Sequence, residues 1–92
     1  MKAGSYVNGQ WFHPKSTRLV RNLNPADPDD FIAEFPAATT DDVQRAIECA
    51  QGAAKGWRKT PGPERGRMLW RAADIARQRA DEIARTLTRE EG

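Results

Sequence analysis

One cysteine, one histidine and one tyrosine in 92 residues exclude several kinds of chemistry from the start. A lone thiol, Cys49, cannot close an internal disulfide, so a disulfide scaffold is ruled out and a reducing, cytoplasmic setting is expected. His13 stands just before Pro14 with no second histidine or cysteine at ligand spacing. It reads as a solvated loop residue rather than part of a zinc site. No window approaches the ~20 apolar residues that span a bilayer. Nothing at the amino terminus joins a basic start to an apolar run of signal length, so a soluble chain with no membrane partner is expected.

Large core formers are also scarce. Leu, Ile, Val and Phe together number 14 of 92 residues, below the roughly 20% at which ordinary globular chains sit. Such a shortage accompanies disorder only when net charge is high, and here 15 basic residues face 13 acidic ones. A chain of this length is one domain at most and buries only about 60 to 65% of its unfolded surface. The composition therefore points to an ordered but incomplete piece.

The pattern along the chain divides at Pro36. Asn8-Gly9 lies between Tyr6-Val7 and Gln10-Trp11-Phe12, where two residues tolerant of positive φ predict a two-residue type I′ hairpin. Thr17 to Leu23 is a second extended stretch, broken by Asn24-Pro25 and Pro28, and Phe31 to Phe35 alternates as a third. Beyond Pro36 the period becomes 3.6. Thr39 or Thr40 caps a helix over about 40–55 with Asp41 and Asp42 in its first turn, the stripe Val43, Ala46, Ile47, Ala50, Ala54, Trp57, and Gly56 as its stop. A second helix over about 63–78 carries Met68, Leu69, Ala72, Ile75 and Ala76, and a third over about 81–90 carries Ile83 and Leu87. With strands over about 5–36, the local class is α+β.

Candidate reactive residues are few. Cys49 falls in the middle of the first helix, about 105° from the centre of its apolar stripe, without the base or positive helix end that activates a nucleophile, and reads as a structural thiol. Asp27, Asp29 and Asp30 resemble a calcium loop only superficially, because Pro28 interrupts them and no bidentate glutamate follows. The seven glycines do not form a phosphate loop before a helix. The many arginines after residue 64 scatter around the helix instead of forming a stripe and alternate with carboxylates, so a salt-bridged face is expected and nucleic acid is not. Trp70 lies opposite the main stripe of its helix. Either something covers it or it lies across arginine stems at the surface.

Taken in order, Tyr6-Val7-Asn8-Gly9-Gln10-Trp11, Asn24-Pro25-Ala26, Ile32-Ala33-Glu34-Phe35-Pro36, Asp42-Val43-Gln44-Arg45-Ala46, Gly56-Trp57-Arg58, Glu64-Arg65-Gly66-Arg67-Met68-Leu69 and Leu87-Thr88-Arg89-Glu90-Glu91-Gly92 resemble the opening of an aldehyde dehydrogenase. The likeness runs from about Ser5 to Gly92. Asn24-Pro25-Ala26-Asp27, with two extra residues before Phe31-Ile32, is similar to the branch that oxidises 2-oxoglutarate semialdehyde and related sugar-acid aldehydes.

The resemblance implies an amino-terminal portion, residues 1–92, of a Rossmann-like cofactor domain in a subunit that also has a catalytic domain and an oligomerisation arm. Its partners would be the remainder of that subunit and further copies of it. In the family a cysteine thiolate attacks the aldehyde, hydride passes to NAD or NADP, and a glutamate-activated water releases the acid. Both catalytic residues lie further along such chains, and Cys49 does not match the nucleophile. No catalytic or cofactor-binding residue is therefore expected in this segment, nor activity or bound cofactor in the segment alone. Some members hold a monovalent cation through backbone oxygens just before the Asn-Pro pair and an acidic side chain near the end of the third helix. The corresponding residues are Asn22, Leu23 and Glu90, with glutamate where aspartate is common. The alternative for Glu90 is a solvated carboxylate at a helix terminus. For the whole segment the alternatives are a stand-alone helical interaction module or a basic nucleic-acid binder.

Overall fold

A computed structural model describes residues 4–92. Two antiparallel hairpins precede three helices: β1 (Ser5–Val7), β2 (Gln10–Phe12), β3 (Leu19–Asn24), β4 (Asp27–Pro36), α1 (Thr40–Lys59), α2 (Gly62–Gln78) and α3 (Ala80–Glu91). The first turn follows from its residues: Asn8 and Gly9 have φ of 52° and 76°, the positive values a type I′ turn requires at both positions. Tyr6 and Trp11 face each other across the ribbon with ring centroids 5.2 Å apart.

The second hairpin differs from the expected pair of strands. Pro25 and Ala26 make its turn, Asn24 pairs with Asp27, and β4 runs ten residues through Pro28. Pro28 is tolerated because the register slips there. Leu23 pairs with Phe31 while Asn24 pairs with Asp27, so Pro28, Asp29 and Asp30 have no cross-strand Cα partner and the missing N–H of proline breaks no ladder bond. Further along, Arg21 lies opposite Glu34 and bonds it at 2.8 Å, a cross-strand pair of opposite charge.

Thr39 caps α1 through a reciprocal box. Its Oγ1 accepts from the Asp42 N–H at 3.1 Å, and the Asp42 carboxylate accepts from the Thr39 N–H at 2.9 Å. Gly56 does not stop this helix, contrary to expectation. The helix continues to Lys59 and ends at Thr60, whose extended conformation (φ −68°, ψ 124°) is the one imposed on a residue before proline, here Pro61. Gly56 is ordinary helix interior. The second and third helices begin one residue earlier than expected, and the third ends one residue later, with only Arg79 between them.

Little of this is buried. Pro14, Ala33 and Ala37 are the buried positions among the described residues, and Leu69 and Trp70 on α2 are 68% and 70% exposed. Trp70 is thus uncovered. The molecule is a slab of 48 × 35 × 16 Å, one layer of secondary structure thick where a core needs two. No helix among the described residues is long and apolar enough to cross a membrane.

Candidate functional site

The end of α3 meets the second hairpin, and chemistry-bearing side chains converge there. Asn22 lies in β3 two residues before the Asn24-Pro25 turn, and Glu90 is the penultimate residue of α3. The fold brings these two together across 68 positions of sequence: the Asn22 side-chain amide donates to Glu90 Oε1 at 2.9 Å. Leu23 follows in β3 at the first register slip and is 40% exposed. All three residues singled out from the sequence therefore stand at one junction. What the structure adds is a side-chain contact between Asn22 and Glu90, where the resemblance implied only the backbone oxygen of Asn22.

Beside them stands a network that the sequence reading did not find. The guanidinium of Arg89 donates to both oxygens of Asp30, at 3.0 and 2.6 Å, and to the Phe31 carbonyl at 3.2 Å. Asp30 Oδ2 also accepts from the Asn24 side-chain amide at 3.2 Å, and Asn24 Oδ1 accepts from the Ala26 N–H at 2.9 Å. One asparagine thereby organises both the turn and the bulge. The Arg89 and Asn24 hydrogen bonds hold the Asp30 carboxyl below its usual range, against a smaller opposing effect of burial. No local pattern signals this contact, because its two members stand 59 positions apart.

The approach is close. A Cβ at Gly92, where φ is +81°, would lie 3.1 Å from the Ala26 nitrogen and 3.3 Å from the Pro25 side chain, so glycine lets the helix end sit on the turn.

The other candidates remain apart from this junction. Asp27 accepts from the Asp29 N–H at 3.1 Å, a turn contact, while Asp30 turns to Arg89, so the three aspartates do not converge. Cys49 is half-buried and lines a shallow depression with Val7, Trp11 and Arg45, and the Arg45 guanidinium lies 4.5 Å from the Phe12 ring centroid. His13 is exposed. Gly52, Gly56 and Gly66 lie inside helices with open space around them and so cannot cradle a phosphate from a loop. Several arginines hold carboxylates instead of forming a free basic face: Arg77 with Asp74, Arg79 with Glu82, Arg21 with Glu34 and Arg89 with Asp30.

A sequence model described as the aldehyde dehydrogenase family matches residues 11–92. The chain is 42% identical over 88 residues to the alpha-ketoglutaric semialdehyde dehydrogenase of Bacillus subtilis, and 38% identical over 88 residues to the malonate-semialdehyde dehydrogenase of Bacillus pumilus. Each match covers 96% of this chain and 18% of the relative. Among solved structures, a NAD-dependent benzaldehyde dehydrogenase from Corynebacterium glutamicum is similar with a TM-score of 0.84 and 37% identity, over 91% of this chain and 18% of that one. The chain thus spans about a fifth of the length of the relatives it matches.

Proposed function

The chain belongs to the aldehyde dehydrogenase family, and from that premise we propose that it is the amino-terminal portion of the Rossmann-like cofactor domain of an NAD(P)-dependent enzyme. The proposed substrate is the semialdehyde of an oxo acid, with 2-oxoglutarate semialdehyde first. The observation that carries this reading is the agreement of the two hairpins and three helices with a NAD-dependent dehydrogenase at 37% identity. The substrate class rests on the names of two relatives that cover 96% of the chain. A stand-alone helical module is not favoured by these matches.

The overall reaction takes an aldehyde, water and NAD(P)+ to a carboxylate, NAD(P)H and two protons. When bound, the nicotinamide supplies the two-electron oxidant. The glycines described above do not fit its phosphates, so this segment's role is structural: its hairpins and helices form an outer part of the domain, and the reacting groups come from elsewhere in the subunit. The subunit is proposed to be cytoplasmic and to assemble with copies of itself, an assignment consistent with the free thiol of Cys49.

For the cation, the backbone oxygens of Asn22 and Leu23 and the carboxylate of Glu90 would supply part of an oxygen shell suited to a monovalent ion. What supports it is the nearness of Glu90 to Asn22; the amide N–H that Glu90 Oε1 accepts is a donor, so the other carboxylate oxygen is the one left for an ion.

The test is steady-state turnover of the full-length enzyme on 2-oxoglutarate semialdehyde, malonate semialdehyde and vanillin with NAD and NADP in turn. The highest kcat/KM is expected on the oxo-acid semialdehyde, and a preference for the aromatic aldehyde would overturn the substrate assignment. Residues 1–92 alone are expected to show no turnover. Activity in that piece that disappears with Cys49→Ser would overturn the assigned role.

A further inference from the structure

We draw no further inference here: the strongest candidate, the apolar seam between the first hairpin and α1 lined by Val7, Phe12, Val43, Ala46, Ile47 and Ala50, carries nothing because nothing in the structure shows what covers it.

Discussion

At residue scale the first turn of α1 shows how much a local pattern can specify. Thr39 and Asp42 are three apart, and each satisfies the other's backbone N–H, so the helix start was legible without any tertiary information. Thr39→Ala is expected to cost about 1 kcal/mol, and Thr39→Ser little, read as hydrogen exchange of the first-turn amides of α1. Asp42 and Asp30 give a further expectation from their ionisation. Bonds from the Thr39 backbone and side chain hold the Asp42 carboxyl below the ordinary aspartate value of 3.8, as Arg89 and Asn24 do for Asp30. A lowered folded pKa means that the unfolded chain binds more protons in the interval, so stability rises with pH there. Both contributions are complete above the ordinary aspartate range and disappear as pH falls through the lower folded values. Asp42→Asn and Asp30→Asn should therefore each flatten the acid limb of a plot of melting temperature against pH and leave its neutral region sloped as before.

The elements divide according to what determines them. A hairpin made by Asn8-Gly9 and helices with a 3.6-residue stripe are dictated by neighbours in sequence, and these were legible. The bulge in β4 was not, because Asp30 is stabilised by a residue 59 positions away, beyond any local window. The junction was legible only in part: likeness to the family located Asn22, Leu23 and Glu90, but neither the Asn22 side-chain contact nor the grip of Arg89 follows from pattern. The end of α1 failed for another reason, since two stop signals competed and the rigid one prevailed. Pro61 forces Thr60 out of helical conformation, whereas Gly56 merely permits a turn that the chain does not take. This distinction reverses the sign of a mutation. At a left-handed cap Gly56→Ala would destabilise, but inside a helix, with nothing within 4 Å of the added Cβ, it should stabilise by about 1 kcal/mol. Helical ellipticity of residues 1–92 at low temperature provides the check, and a fall on substitution would contradict the helical assignment of Gly56.

For the whole molecule, dimensions say more than contacts. A compact chain of this length should have a radius of gyration near 12 Å, whereas the Cα atoms give 16.8 Å. Its accessible surface should be about 5,400 Å² and is 7,724 Å². Much of the difference is apolar: Val43 and Ile47 on α1, Leu69 and Trp70 on α2, and Ile83 and Leu87 on α3 are all about half exposed or more. The scarcity of large aliphatic residues foreshadowed this, because a sequence with so few of them cannot cover its own stripes. Trp70 shows the limit of that foresight, since periodicity placed it off the main stripe without saying whether anything would cover it. Ordering about 90 residues costs on the order of 100 kcal/mol in conformational entropy, and net stabilities are only about 5 to 15 kcal/mol, so a deficit of roughly 2,000 Å² of burial is decisive. Residues 1–92 alone are therefore expected to self-associate through these faces or to melt without a cooperative transition. Trp70→Ser should weaken the association, read by sedimentation equilibrium, while leaving far-ultraviolet ellipticity unchanged. A concentration-independent monomer that unfolds in a single sharp urea transition would show that the hairpins and helices close a core of their own, and would refute the expectation.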